Sequence, residues 1–182
     1  RATLFPGEQL GFMAKLIAIC NQNGGVGKTP TAINLSTSLA MSGKRVLLVD
    51  TDSQAHSTKS LVIDAEKCPH SLFDALMNPQ QVPLSSVIMK STVPGLDVAI
   101  SRISMAKLEP SLLGQIDGHF RLKETLEQVR GRYNYIFIDT PPTLGLITLN
   151  SLVAATHLLI PIQSSFLCLE GTDDLLETID KV

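Results

Sequence analysis

The sequence predicts an α/β protein: a parallel β-sheet flanked by helices on both faces. Three observations predict it. Five short apolar runs (residues 16–20, 45–50, 96–100, 135–139 and 157–162) alternate along the chain with stretches of helical periodicity. These runs are apolar almost throughout, as strands covered on both faces are. Hydrophobic residues make up 44% of the chain but aromatic ones only 4%, a balance suited to layers built from Leu, Ile, Val and Ala.

Taken in order, residues 1–12 (RATLFPGEQLGF) resemble neither a signal peptide nor a transit peptide. They are read as a poorly ordered extension ahead of a natural-looking start at Met13, and residues 13–182 as one domain. The first strand, 16–20, breaks into a glycine-rich loop, which leaves as a helix carrying Ile33, Leu35 and Leu39 over 31–39. Gly43 is placed as the stop of that helix. Residues 45–50 (RVLLVD) form the second strand, followed by TDSQAHSTKSLVID, a polar loop running into a short helix. Asp52 and Gln54 thus sit just beyond a strand C-terminus, where open α/β sheets bind ligands.

Residues 68–95 are the least legible, with one helix expected over 71–77 among Pro79, Pro83 and Pro94. After the strand at 96–100, helices are expected over 105–113 and 120–129, the second ending at Gly131. The strand 135–139 (YIFID) ends on a carboxylate, and Thr140, Pro141 and Pro142 turn the chain. A helix over 144–155, the strand 157–162 and an amphipathic helix over 169–179 complete the chain.

The loop after the first strand carries the most specific chemistry. Gly24, Gly25 and Gly27 allow backbone N–H groups to close on an anion, and the following helix adds its free N-terminal donors and dipole. Lys28 supplies a mobile charge for β/γ-phosphates and Thr29 a hard oxygen for Mg²⁺. Gln22 stands where the general G-x-x-x-x-G-K-[ST] pattern has its first glycine, so that pattern is not met in full. The bland alternative is a glycine-rich turn before a surface helix. The strand, glycines, Lys-Thr pair and helix nonetheless occur in the order a phosphate cradle requires. Asp139, ending a buried strand, matches the carboxylate that holds Mg²⁺ beside such a cradle, although strand-ending Asp residues also cap helices.

Other features restrict function without assigning it. A net charge of −2 leaves no broad nucleic-acid footprint. Arg102, Lys107, Arg121, Lys123 and Arg130 are read as solvated charges, with a basic nucleic-acid face as the lesser alternative. Cys20, Cys68 and Cys168 lack metal-ligand spacing and are read as reduced thiols of a cytosolic protein. No apolar run is long enough to span a membrane.

Four separated motifs, NQNGGVGKTPTAINLSTSLA, DTDSQ, IDTPPTLGLITLN and LLIPIQSSFLCLEG, together resemble the ParA/Soj chromosome- and plasmid-partitioning ATPases. The resemblance runs from Met13 to the end, and is to ParA rather than to MinD or the nitrogenase iron protein, which share the P-loop NTPase fold. It implies a deviant Walker A ATPase of cytoplasmic, nucleoid-associated location that binds ATP and Mg²⁺. It further implies a homodimer closed around two nucleotides, non-specific DNA binding and stimulation by a ParB-type partner. By that resemblance Gly24, Gly25, Val26, Gly27, Lys28, Thr29 and Pro30 wrap the phosphates, and Thr29 and Asp139 hold Mg²⁺. Asp52 positions the attacking water in a first switch with Lys28 as the other catalytic residue, and Thr140 to Pro142 begin a second switch. Such proteins continue for several strands and helices, so the sheet is expected to lack its last strands and to expose an edge.

Two residues depart from the family pattern. Asn23 replaces the signature lysine that reaches the other subunit's nucleotide, and a neutral amide cannot carry that charge. Pro30 replaces a hydroxyl residue, removing an N–H and a hydroxyl that the α-phosphate would use and biasing Thr29 away from helical geometry. Ser53, where proline is common, is a milder change. Slow or absent hydrolysis is therefore expected. Two other readings stay open: a degenerate nucleotide-binding or interaction module, and a MinD-like membrane-cycling ATPase, which would need a C-terminal amphipathic anchor.

Overall fold

The computed structural model describes residues 13–164 together with 177 and 179. The extension at 1–12, most of the expected helix over 169–179 and Cys168 lie outside the described residues.

Among the described residues six strands form one sheet: β1 (Lys15–Ile19), β2 (Val46–Asp50), β3 (Ile88–Lys90), β4 (Leu96–Ala99), β5 (Tyr135–Asp139) and β6 (His157–Leu159). Their order is β3-β4-β2-β5-β1-β6, and every pairing is parallel except β3 with β4. β3 was not expected. It is a three-residue antiparallel edge, too short to show a period, and its existence depends on register with β4 (Ile88↔Ala99). β6 stops at Leu159 rather than 162.

Helices cover both faces, as the apolar strands require. α1 (Lys28–Met41) and α2 (His56–Leu61) pack on one side over Val46, Leu48 and Phe137. α3 (Leu72–Met77), α4 (Leu108–Leu112), α5 (Arg121–Glu127) and α6 (Leu146–Ala154) pack on the other over Leu16, Leu47, Ile136 and Ile138. Alternate residues of each strand thus feed alternate cores. The helix expected over 105–113 is a 3₁₀ turn (Ile103–Lys107) followed by α4, with Pro110 inside the second segment. The helix expected over 120–129 ends at Glu127, and Gly131 lies in a separate 3₁₀ turn.

α1 ends where Gly43 takes φ +79, with Gly43 N–H donating to Ala40 O (2.9 Å) and Lys44 N–H to Leu39 O (3.1 Å). This is the Schellman arrangement, and it delivers the chain into β2.

Ala55, at the N-cap of α2, is held buried at φ 54, a left-handed conformation that costs an L-residue roughly 1–2 kcal/mol. Replacing Ala55 by Gly relieves that strain and adds unfolded-state entropy. The expected net effect is about 0.5–1 kcal/mol of stabilisation, the reverse of the usual sign, measurable by urea unfolding.

Candidate functional site

The parallel order places three strand C-termini side by side: Asp50 on β2 pairs with Asp139 on β5, which pairs with Ile19 on β1. The glycine loop leaves β1 at this end, so the anion cradle and the carboxylate meet because of the strand order. A cleft of about 640 Å³ opens there, lined by Gly24, Gly25, Gly27, Lys28, Thr29 and Pro30 from the loop and α1. Asp52, Ser53, Gln54 and His56 line it from the loop after β2, and Thr140 to Thr143 from the loop after β5. Val26, also expected to wrap the phosphates, is half-buried and does not line the cleft.

Gly25 and Gly27 have φ +77 and +91, a region L-residues rarely adopt, and a Cβ on Gly24, Gly25 or Gly27 would point into open space. That open space is where an anion can approach the backbone. Gly27 is the N-cap of α1, and the first intrahelical bond runs from Thr31 N–H to Gly27 O (2.9 Å). The N–H groups of Lys28 and Thr29 precede it and are left for a ligand, while Pro30 has none to offer. The expectation that Pro30 would pull Thr29 out of helical geometry does not hold. Lys28, Thr29 and Pro30 form the first turn of α1, where proline's φ is tolerated and the helix carries Thr29 with it.

Lys28 is almost wholly buried, and its Nζ donates to Asn23 O (2.9 Å), folding the side chain back along its own loop. Burial lowers its pKa, opposed chiefly by Asp139 and then by Cys20 and Asp52. The loop is braced further by Asn23 N–H donating to Asn21 Oδ1 (2.9 Å) and Asn21 Nδ2 to Pro161 O (2.8 Å).

Asp139 is 1% exposed. Its Oδ2 accepts from Ser57 Oγ (2.7 Å), while Oδ1 is buried with no hydrogen-bond partner among the described residues. Burial raises its pKa, moderated first by the Ser57 and then by the Thr29 hydroxyl, which faces the same carboxylate. A buried, unsatisfied carboxylate oxygen beside a hydroxyl and a phosphate-type loop fits a hard cation shared with a ligand. Among the described residues no cluster of three or more His, Cys, Asp or Glu could hold a metal by itself.

Asp50 lies behind this cleft with 0% exposure, and burial pushes its pKa up to about 7. The folded protein therefore holds this proton more tightly than the unfolded chain, and the stability it confers is lost as pH rises from the ordinary carboxylate range through 7. In nucleotide- and metal-free protein, the wild-type melting midpoint should fall by roughly 5–10 °C relative to Asp50→Asn between pH 5 and 8. Thermal melts across that range measure it.

Ser57, Thr58 and Ser101, buried behind the cleft, and Glu109, which lines it, were not anticipated. The first two are hydroxyl residues opening a short helix, a weak signal, while Ser101 and Glu109 come from segments with no motif. Of the basic residues considered for a nucleic-acid face, Arg102 is spent on the carbonyls of Ala65, Glu66 and Cys68, Arg121 reaches Gln115, and Arg130 pairs with Glu127. Cys20 and Cys68 are buried free thiols.

A family model described as "AAA domain" matches residues 14–182. The chain is similar to the sporulation initiation inhibitor protein Soj of Bacillus subtilis, 44% identical over 92% of this chain and 65% of that protein. It is also similar to the chromosome partitioning protein ParA of Caulobacter vibrioides, 40% identical over 92% and 63% respectively. The chain thus spans a little under two thirds of the length of these relatives. Among solved structures, cobyrinic acid a,c-diamide synthase from Mycobacterium smegmatis with bound ADP and magnesium matches at TM-score 0.87 and 35% identity, covering 93% of this chain and 68% of that one. A plasmid partition protein from Borrelia burgdorferi matches at TM-score 0.82 and 28% identity, covering 92% and 74%. The chain belongs to the ParA/Soj family of P-loop NTPases.

Proposed function

We propose that this chain is a nucleotide-binding partition protein that takes ATP with Mg²⁺ in the cleft at the C-terminal end of its sheet and hydrolyses it slowly. The observation that carries the reading is the unsatisfied Asp139 Oδ1, buried beside Thr29 and the glycine loop. Gly24, Gly25 and Gly27 would form the backbone cradle, with Val26 as the loop residue between Gly25 and Gly27, and Lys28 would exchange its bond to Asn23 O for phosphate oxygen. Thr29 and Asp139 would hold Mg²⁺, which supplies charge neutralisation at the β- and γ-phosphates. Asp52, half-buried at the cleft edge with its Oδ1 accepting from Gln54 N–H (2.9 Å), orients the attacking water. Phosphoryl transfer needs alignment and charge, so these groups suffice in kind.

Weakened hydrolysis rests on the two departures. Asn23 contributes its carbonyl to Lys28 and brings no charge to the cleft, and Pro30 removes one donor from the first turn of α1. ATP-dependent dimerisation, non-specific DNA binding and a ParB-type partner are proposed from the resemblance to Soj and ParA. No helix among the described residues is long and apolar enough to cross a membrane.

Titration with a fluorescent ATP analogue in Mg²⁺ tests the reading. Saturable binding displaced by unlabelled ATP is expected. No binding, or binding unaffected by loss of the Lys28 side chain, would overturn it.

A further inference from the structure

The loop bearing Asp52 is fastened by a closed ring of hydrogen bonds. Asp52 N–H donates to Asp50 Oδ1 (3.2 Å), and Asp52 O accepts from Ser101 Oγ (2.6 Å). Ser101 N–H donates to Thr58 Oγ1 (3.0 Å), and Thr58 Oγ1 donates to Asp50 Oδ2 (2.7 Å), which also accepts Thr58 N–H (2.8 Å). The ring therefore grips both the N–H and the C=O of Asp52 while leaving its side chain at the cleft. It joins the ends of β2 and β4 through the first turn of α2. The preceding residue, Ser57, carries the connection to β5 by donating to Asp139 Oδ2 (2.7 Å).

The members are placed for this role. Asp50, Thr58 and Ser101 are 0%, 2% and 2% exposed, and their polar atoms are engaged with one another and with the Asp52 backbone. None of the three ion pairs among the described residues involves Asp50. Its carboxyl oxygens are instead satisfied by the loop's own donors, and the loop cannot leave without stranding buried polar atoms. A half-buried Asp on the five-residue connection 51–55 would otherwise sample many positions, and aligning a water demands sub-ångström constancy.

We propose that Asp50, Thr58 and Ser101 are positioning residues for Asp52, a buried ring that fixes the first-switch backbone so that the Asp52 carboxylate meets the attacking water. The proposal rests on the reading of the cleft as a nucleotide site. It goes beyond that reading by assigning roles to three residues that touch neither phosphate nor metal.

Thr58→Val keeps the side-chain shape and removes both side-chain links of Thr58 to the ring; Thr58→Ser keeps the links. Three quantities are measured on wild type and both variants: amide hydrogen exchange of residues 52–58 without nucleotide, affinity for fluorescent ATP, and steady-state ATP turnover. In Thr58→Val, exchange across the loop is expected to accelerate about tenfold or more, with exchange in β1 and β5 unchanged. Turnover should fall at least tenfold while nucleotide affinity stays within about threefold, and Thr58→Ser should restore both exchange and turnover. Unchanged loop exchange in Thr58→Val, or a turnover loss matched by an equal loss of affinity, would overturn the ring's role. So would failure of Thr58→Ser to rescue. If the wild type binds no nucleotide, the reading of the cleft fails instead, and the exchange comparison still decides whether the ring holds the loop.

Discussion

Restoring charge and a donor to the cleft, by Asn23→Lys together with Pro30→Thr, is expected to raise ATP turnover by about 10³-fold. Two effects combine. A lysine at position 23 adds a positive charge on the loop proposed to hold the phosphates, and charge stabilisation in a dry phosphoryl-transfer site is worth about that factor. Threonine at position 30 returns an N–H to the first turn of α1, where Lys28 and Thr29 already present theirs, and adds a hydroxyl. Asn23 meets the loop through its backbone, accepting Lys28 Nζ at 2.9 Å through its carbonyl and donating its N–H to Asn21. Each single substitution should give part of the gain, and phosphate-release assays on the four proteins decide it. Equal turnover in wild type and double variant would show that the two departures are silent.

Lys28→Ala is expected to weaken nucleotide affinity about 100-fold, the order of a charge-assisted hydrogen bond to phosphate lost from a mostly desolvated site. The ammonium already bears the cost of burial, with Asp139 as its main compensation. Removing it leaves the Asp139 carboxylate with less opposing charge, so that group becomes harder to ionise. Because Lys28 Nζ bonds to its own loop, the fold should survive, and circular dichroism with a thermal melt serves as control. Titration of wild type and variant gives the ratio directly.

The parts of this arrangement that were legible in the sequence are those set by local chemistry. The order of strand, glycines, Lys-Thr and helix is a contiguous signal, and so is an acidic residue ending a fully apolar strand. Residues 15–19, 46–50 and 135–139 accordingly lie within a residue of where their apolar runs put them. What was not legible depends on contacts distant in sequence. β3 exists because β4 offers it an edge. Ser101 matters because the β2–β4 pairing brings it 3.0 Å from Thr58, 43 residues away. The local rule that residues before proline avoid helix failed at Thr29, where the whole of α1 outweighs one unfavourable dipeptide.

If the loop after β1 and the carboxylate ending β5 form one Mg²⁺-nucleotide site, as proposed, Mg²⁺ and Asp139 must act on nucleotide binding together. ATP affinity measured with and without Mg²⁺ in the wild type and in Asp139→Asn decides this. Mg²⁺ should tighten wild-type binding about tenfold or more, and Asp139→Asn should remove that gain while leaving the Mg²⁺-free affinity unchanged. An equal Mg²⁺ effect in both proteins would contradict the account.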